Sequence, residues 1–208
     1  MNVRIARLVV LISGHGSNLQ AILDACDAGT LPARVVAVIS NRAEAFGLER
    51  ARRAGVEAIY FPKPKEEDRQ KYDQRLAARV AIYQPDWVIL AGWMRILSNE
   101  FLRRFPMRVI NLHPALPGCF PGTNAIERAY AAFRERKITR TGVMVHLVPD
   151  EGVDCGPVLG QVEVPLFEGE SLENLEARVH EVEHTLLVQT LRNILLDPEF
   201  IKGVKKDA

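Results

Sequence analysis

The chain has 208 residues, of which 48% are hydrophobic and 25% are charged, a composition typical of a globular domain with a substantial core. Lysine and arginine total 27 against 26 acidic residues, and the resulting net charge of +1 provides no overall attraction to nucleic acid or an acidic membrane. The cysteines, Cys26, Cys119 and Cys155, are odd in number and far apart, which favours reduced thiols over a disulfide framework. We therefore expect a cytoplasmic protein without a signal peptide or a membrane span.

Predicted strands and helices alternate through the first half of the chain. The aliphatic run at 7–13 is typical of a parallel strand buried on both faces, and the helix expected at 17–28 would stop at Gly29. The next predicted elements are a strand at 33–39, a helix at 46–54, a strand at 57–61, a helix at 69–83, a strand at 87–91, a short helix that Ser98 would cap and that ends near 104, and a strand at 108–111. This alternation favours an α/β sheet with right-handed crossovers.

The pattern changes after a proline- and glycine-rich segment at 114–122. A helix is predicted at 123–134, two strands at 141–148 and 157–164, and a last helix at 171–195 with its apolar residues three and four apart. The two late strands resemble a hairpin, so the C-terminal part of the sheet should be mixed, with antiparallel strands.

The sequence contains no clear linker, and we therefore predict one α/β domain over residues 1–208, built on a mostly parallel, twisted sheet. Residues from about 7 to 111 would form the parallel half. Residues from about 112 to 196 would form the half with the site loops, the late strands and the last helix. The charged tail from residue 202 is expected to fray.

A glycine-containing segment, Ser-Gly-His-Gly-Ser-Asn at 13–18, joins the first predicted strand to the first helix. Glycine lets the backbone approach a ligand, and free amides at a helix N-terminus attract an anion such as phosphate. The dinucleotide-binding fingerprint is not met, because Leu19 stands at its third glycine and Asn41 at its acidic position. Two interpretations remain, a site for a phosphate monoester or similar anion, which is favoured, and a purely structural turn.

Two polar residues, Asn111 and His113, stand at the end of a predicted buried strand, and Pro114 keeps the backbone before it extended. Ligands of parallel sheets bind at such strand ends, but polar residues there also cap backbone groups in buried turns. Asp154 lies on a glycine-flanked loop, where acids are commonly solvated turn formers. Within hydrogen-bond distance of His113 it would orient the imidazole and favour its protonated form.

His180 and His184 with the acids between them match the zinc-binding pattern His-Glu-x-x-His. At about 100° per residue both histidines lie away from the apolar stripe of the last helix, so nothing would bury a metal between them. Glu183 would add charge beside the site. We interpret the match as a coincidence and predict no metal.

A series of motifs runs through nearly the whole chain: Ile-Ser-Gly-His-Gly-Ser-Asn-Leu-Gln at 12–20, Ile-Ser-Asn-Arg at 39–42, Ala-Phe-Gly-Leu-Glu-Arg-Ala at 45–51, Leu-Ala-Gly-Trp-Met-Arg-Ile-Leu at 90–97, Ile-Asn-Leu-His-Pro at 110–114, Val-His-Leu-Val at 145–148, Asp-Cys-Gly-Pro-Val at 154–158 and Glu-His at 183–184. In this order they resemble the phosphoribosylglycinamide formyltransferase family. The chain departs from the family's usual pattern in the loop at 115–120, in a slightly longer loop before Asp154, and at His180, where relatives often carry glutamine.

The resemblance implies which residues would bind and react. The catalytic residues would be Asn111, His113 and Asp154. The phosphate and ribose of the acceptor would be bound by Gly16, Ser17, Asn18, His180 and Glu183, and the folate donor by Arg69, Met94, Arg95, Ile96, Leu97 and Asn111. The first half of the sheet would have a Rossmann-like, nucleotide-binding topology, and the reaction would need no metal.

By the same resemblance, the chain would transfer the formyl group of 10-formyltetrahydrofolate to the amine of glycinamide ribonucleotide in purine biosynthesis. Asn111 and protonated His113 would stabilise the oxyanion, His113 would protonate the leaving nitrogen, and Asp154 would favour the charged imidazole. Three other functions remain open: hydrolysis of the same folate to release formate, transfer to initiator methionyl-tRNA, which the near-neutral charge disfavours, and folate binding without turnover. The partners would be small molecules, and the sequence does not distinguish a monomer from a homodimer.

Overall fold

The computed structural model describes residues 4–197 and 199–201, and a seven-stranded sheet runs through it. In chain order the elements are β1 (Ala6–Ile12), α1 (Ser17–Asp27), β2 (Ala33–Ser40), α2 (Phe46–Arg53), β3 (Ala58–Tyr60), α3 (Arg69–Ala81), β4 (Trp87–Leu90), α4 (Asn99–Leu102), β5 (Val109–His113), α5 (Ala125–Arg134), β6 (Arg140–Leu147), β7 (Val158–Pro165) and α6 (Leu172–Leu196). The predicted elements agree with these bounds to within a few residues, because aliphatic runs ended by glycine or proline mark them in the sequence.

The sheet has the strand order β3-β2-β1-β4-β5-β6-β7. Strands β1 to β5 are parallel, whereas β6 is antiparallel to β5 and β7 is antiparallel to β6. The predicted fold class, an α/β sheet with a parallel, Rossmann-like first half and an antiparallel C-terminal part, is confirmed. The chain order reverses between β1 and β4, and ligands of such sheets bind at the carboxyl ends of the strands beside this point.

Helices cover both faces of the sheet and bury alternate residues of its strands. In β1, Leu8, Val10 and Ile12 belong to the core that α1 and α6 complete, whereas Val9 and Leu11 belong to the core that α3 and α4 complete. All of these side chains are fully buried. Residues 8–12 of the strand are therefore apolar at every position, which is why they appear in the sequence as a continuous aliphatic run.

Strand β5 continues beyond residue 111, the predicted end of this strand, to His113. The extension arises because β6 pairs with it, so that Asn111 lies opposite His146 and His113 lies opposite Met144. The two polar residues are therefore part of the strand, where backbone pairing fixes the direction of each side chain.

Ser98 precedes α4 as predicted, but its side chain makes no capping hydrogen bond to that helix. The Asp73 carboxylate of α3 instead accepts a hydrogen bond from the Ser98 amide at 2.7 Å. Asp73 is buried, and burial raises the pKa of its carboxyl. This contact ties α3 to the segment 92–98 that follows β4.

The tail from residue 202 lies outside the described residues, so its predicted fraying is not tested. Among the helices of residues 4–197 and 199–201, none has the length and the apolar character needed to cross a membrane. The division of the chain into two halves of one domain stays a prediction.

Candidate active site

A cavity of about 700 Å³ opens at the carboxyl ends of the parallel strands, a volume suited to a small-molecule ligand. Its walls come from the segment after β4, from β5 and β6, from the loop between β6 and β7, and from α1 and α6. The predicted site residues that line it are Asn18, Arg69, Met94, Arg95, Ile96, Leu97, Asn111, His113, Asp154, His180 and Glu183. Gly16 and Ser17 are not among the described residues of its lining.

The three predicted catalytic residues meet in this cavity. Asp154 reaches Asn111 and His113 from the loop between β6 and β7, although more than forty positions separate it from either. Asn111 Nδ2 donates a hydrogen bond to Asp154 Oδ1 at 3.0 Å, and His113 Nδ1 lies 3.3 Å from Asp154 Oδ2. The carboxylate is thus close enough to orient the imidazole and to stabilise its charged form.

Asp154 is held in place by its own backbone and by the loop after β5. Its φ of 51° is uncommon for a residue with a side chain, and the Gly122 amide donates to its Oδ2 at 2.8 Å. Burial alone would raise the pKa of Asp154, but the hydrogen bond from the Gly122 amide and the neighbouring His113 hold this pKa below its ordinary value. The carboxylate is therefore charged at neutral pH.

His113 is enclosed between two hydrogen-bond acceptors. Its Nδ1 faces Asp154, and its Nε2 lies 3.1 Å from the Phe120 carbonyl oxygen. Burial holds the pKa of His113 below its ordinary value, while Asp154 and the Phe120 carbonyl oppose that shift. A neutral imidazole has one N–H and can satisfy only one of the two acceptors, whereas the imidazolium satisfies both.

His146 on β6 completes the cluster and fixes the orientation of Asn111. Its Nδ1 lies 2.8 Å from the Leu147 carbonyl, which can only accept, so Nδ1 carries the proton of the neutral ring. Its Nε2 is then an acceptor, and it lies 3.1 Å from Asn111 Nδ2. Both N–H groups of Asn111 are therefore engaged, one by His146 and one by Asp154, and a new acceptor in the cavity would have to replace one of them.

The predicted phosphate turn joins β1 to α1 and packs against the start of α2. Gly16 has a φ of 75°, and a Cβ atom there would lie 2.7 Å from the Gly47 Cα. The Gly47 amide also donates to the Gly14 carbonyl at 3.1 Å. The close approach of α2 thus requires glycine at position 16, and the turn places the first amides of α1 beside the cavity.

Glu183 of α6 reaches the same end of the cavity as Asn18. The residue is 6% exposed, and Asn18 Nδ2 donates a hydrogen bond to its Oε2 at 3.3 Å. Burial raises the pKa of Glu183 to about 7, although the Asn18 hydrogen bond works against this shift. Asn18 Oδ1 is buried and has no hydrogen-bond partner among the described residues. This end therefore carries both an unused acceptor and a carboxyl that titrates near neutrality.

The other end of the cavity is mostly apolar. Met94 and Ile96 are 56% and 47% exposed, whereas Leu97 beside them is buried. The Arg95 guanidinium lies 5.2 Å from the centre of the Tyr72 ring. These side chains offer an apolar wall with a cation behind it.

Arg69 at the start of α3 is paired within the chain. Its guanidinium donates to Glu151 Oε2 on the loop between β6 and β7, and the Asn99 amide donates to Glu151 Oε1 at 3.0 Å. The hydrogen bond from the Asn99 amide, together with the one from Arg69, holds the pKa of Glu151 below its ordinary value. The loop that carries Asp154 is therefore attached to α3 and α4 through Glu151.

Comparison with known protein families shows to which family this chain belongs. The family model described as formyl transferase matches residues 6–191 of the chain. The chain belongs to the formyl transferase family. The match begins with β1 and ends within α6, so it contains every described residue that lines the cavity.

Relatives in the formyl transferase family are similar over most of the chain. The phosphoribosylglycinamide formyltransferase of Schizosaccharomyces pombe is 48% identical over 207 residues, which cover 93% of this chain and 99% of that protein. The enzyme of the same name from Escherichia coli is 44% identical over 179 residues, which cover 86% of this chain and 82% of that protein. Glycinamide ribonucleotide transformylase 1 of Symbiobacterium toebii has a crystal structure that matches with a TM-score of 0.86 and 43% identity, over 92% of this chain and 88% of that one.

Sequence reasoning assigned no role to His146 or Glu151 in this formyl transferase. His146 was visible as part of the motif at 145–148, but its contact with Asn111 depends on the antiparallel pairing of β6 with β5. The contact of Glu151 with Arg69 depends on the path of a loop between two strands. Neither contact has a local sequence signal.

The histidine pair of α6 does not resemble a metal site. His180 is exposed, with its Nε2 3.9 Å from Glu183 Oε2, and His184 Nε2 is buried without a hydrogen-bond partner among the described residues. Residues 4–197 and 199–201 contain no group of three histidine, cysteine or acidic side chains arranged to hold a metal ion. That this formyl transferase works without a metal stays a prediction.

Proposed function

We propose that this chain transfers the formyl group of 10-formyltetrahydrofolate to the amine of glycinamide ribonucleotide, a step of purine biosynthesis. The activity named for its relatives supports the proposal. The observation that carries it is the contact of Asp154 with both Asn111 and His113, because acyl transfer needs an oriented acid and an oxyanion donor at one point. Both substrates would be small molecules, and the enzyme would work in the cytoplasm without nucleic acid or membrane.

In the proposed reaction the acceptor amine attacks the formyl carbon, and the carbonyl oxygen becomes an oxyanion in a tetrahedral intermediate. His113 takes the proton that the amine gives up and passes it to the departing folate nitrogen as the carbon–nitrogen bond breaks. General acid catalysis of this kind contributes about 10²–10⁴-fold in rate, and one positioned oxyanion donor about 3–4 kcal/mol. Asp154 supports the charged imidazole from 3.3 Å.

Asn111 would change one partner during the reaction. In the free protein it donates to Asp154 Oδ1 at 3.0 Å and to His146 Nε2 at 3.1 Å. A hydrogen bond to a carboxylate is stronger than one to a neutral ring, so the contact with His146 is the one that an oxyanion would replace. The oxyanion would then be bound between the Asn111 amide and His113.

The acceptor would bind at the end of the cavity near α1 and α6. Free amides of the first turn of α1, after Gly16, suit the phosphate, because no side chain caps this helix. Asn18 Oδ1 and Glu183 provide acceptors for the two ribose hydroxyls. His180, exposed at the rim, would add a contact to the phosphate.

The folate would bind at the apolar end. Met94 and Ile96 offer exposed apolar surface to a flat ring system. Arg69 would bind a carboxylate of the donor, and that carboxylate would compete with Glu151 for the guanidinium.

The test is the loss of 10-formyltetrahydrofolate, followed by absorbance, with and without glycinamide ribonucleotide. We expect turnover only with the acceptor, and formylated product in equal amount. Formate release at the same rate without the acceptor would favour a hydrolase of the same family, and tight folate binding with no turnover would favour a binding protein. The D154N variant is the inactive control, since it keeps the shape of the side chain without its charge.

A further inference from the structure

Residues 114–124 connect β5 to α5, and we call this segment the proline loop. Its backbone adopts an unfavourable conformation at two positions. Phe120 and Asn124 have φ values of 45° and 56°, in the left-handed region that residues with side chains seldom adopt. Such conformations persist only where surrounding contacts impose them. A contact that holds the proline loop in this conformation therefore also affects the position of the residues that the loop touches.

The proline loop touches the catalytic residues at two points. The Phe120 carbonyl lies 3.1 Å from His113 Nε2, and the Gly122 amide donates to Asp154 Oδ2 at 2.8 Å. A catalytic imidazole requires a partner that orients its second nitrogen, and here a main-chain carbonyl has that position. The carbonyl holds the proton on Nε2, so the proton exchanged in the reaction would be the one on Nδ1, which Asp154 stabilises.

One arginine holds this part of the loop from outside the cavity. Arg128 Nη2 on α5 donates to the Phe120 carbonyl at 2.6 Å and to the Pro121 carbonyl at 2.7 Å. Arg128 is exposed and is not among the described residues that line the cavity. Its guanidinium therefore fixes the same carbonyl that orients His113, and the peptide that precedes Gly122.

We propose that Arg128 is a positioning residue for the proposed formyl transfer. It acts through the proline loop, by holding the Phe120 carbonyl against His113 and the Gly122 amide against Asp154. A planar guanidinium bonded to two successive carbonyls restrains the peptide between them, whereas a single donor would leave it free to rotate. The inference rests on the proposed function, because it concerns the rate of that reaction.

The experiment compares R128A, R128K and R134A by steady-state kinetics with both substrates. Arg134 is a matched control, because it is an exposed arginine of the same helix, one turn and a half further on. We expect R128A to lower kcat about 10- to 100-fold while each KM changes less than about threefold, since small misplacement of catalytic groups acts mainly on the chemical step. R128K, which keeps a cationic donor, should recover part of kcat, and R134A should match the unchanged protein.

A second measurement follows the loop directly. Cys119 is exposed on the proline loop, one residue before Phe120, and its labelling by a thiol reagent can be separated from that of Cys155 by peptide mass. We expect faster labelling of Cys119 in R128A than in R134A. A kcat for R128A equal to that of R134A, or a loss confined to thermal stability and unrecovered by R128K, would overturn the proposal. An unchanged protein that shows no acceptor-dependent transfer would instead contradict the proposed function, and the labelling result would still report on the loop.

Discussion

His113 shows how the sheet and the loops share the placement of a single side chain. Its backbone belongs to β5, one of its nitrogens faces Asp154 and the other faces the Phe120 carbonyl. Burial favours the neutral ring, and the two acceptors favour the charged ring. The proton on this residue is thus held by opposing effects, of which burial is the larger, and this suits a group that would take up a proton and give it away again in the proposed reaction.

Replacing either member of this pair should remove most of the activity and leave the fold intact. We expect H113A to lower kcat about 10²–10⁴-fold, because the general acid is lost. D154N should cause a loss of similar order, since an amide does not stabilise the imidazolium. Steady-state kinetics measures the effect, and near-ultraviolet circular dichroism verifies the fold. Near-normal turnover in D154N would remove this residue from the mechanism.

His146 should matter for stability as well as for rate. H146F keeps a buried ring but leaves one N–H of Asn111 without its acceptor, which costs about 1–3 kcal/mol. Urea denaturation measures that loss, and kcat should fall because the amide is free to rotate. M144L is the matched control, since Met144 is a buried neighbour on the same strand and a volume-conserving change is tolerated. Equal stability of the two variants would show that the His146–Asn111 contact is unimportant.

Glu183 should make the free protein less stable as the pH rises. Its pKa of about 7 in the folded chain lies above its ordinary value of 4.5, so the folded state keeps a proton that the unfolded state releases. The stability from this proton is complete below about pH 4.5 and is lost as the pH rises to about 7. E183Q should therefore equal the unchanged protein at about pH 4.5 and exceed it at pH 8 by about 3 kcal/mol.

The same substitution should weaken the binding of the acceptor substrate. An ionised carboxylate accepts from two hydroxyls, whereas the amide accepts from fewer, so the KM for glycinamide ribonucleotide should rise in E183Q with the KM for folate unchanged. For the unchanged protein, the KM for this acceptor should rise as the pH falls below about 7. Urea denaturation at two pH values and initial rates test both statements. A stability difference that does not depend on pH would refute the shifted titration.

At the scale of elements, the turn between β1 and α1 depends on how closely α2 approaches it. Gly16 and Gly47 are in contact through their backbones, and the Gly47 amide bonds to the Gly14 carbonyl. The start of α2 therefore supports the amides that would bind the acceptor phosphate. The conformation of the turn therefore depends on α2 as well as on the Ser-Gly-His-Gly-Ser-Asn segment itself.

G16A should separate these elements, whereas G14A should not. A Cβ at position 16 would meet the Gly47 Cα at 2.7 Å and would have a φ of 75°, so we expect a loss of more than about 2 kcal/mol in stability and a raised KM for the acceptor. A Cβ at position 14 meets nothing within 4 Å, and its φ is not in the left-handed region. Urea denaturation and acceptor titration compare the two, and equal effects would contradict the packing argument.

At the scale of the whole molecule, the strand and helix pattern and the antiparallel late strands were predictable, whereas the register of β6 against β5 was not. The aliphatic run of β1 and the glycines that follow it are local signals, and they led to the α/β class and to the turn at 13–18. The meeting of Asp154 with His113 was expected only through the family resemblance. His146 and the Phe120 carbonyl were missed, because their positions follow from strand pairing and loop path, which depend on contacts between residues distant in the sequence.

The contacts between distant parts of the chain also predict how the protein unfolds. Asn18 of α1 bonds to Glu183 of α6, and Arg69 of α3 bonds to Glu151 in the loop between β6 and β7. Each end of the cavity thus joins the parallel half to the later half, so the two halves should unfold in one transition.

Ligands for the two ends should therefore shift the same transition. At about 100 times its dissociation constant, glycinamide ribonucleotide or an unreactive folate analogue should each add about 2.7 kcal/mol, which corresponds to a rise in Tm of roughly 5–10 °C for a chain of this size. Calorimetry with each ligand alone measures the shifts. Two separate transitions, of which each ligand moves only one, would mean that residues 7–111 and 112–196 are independent units and that the single domain is wrong.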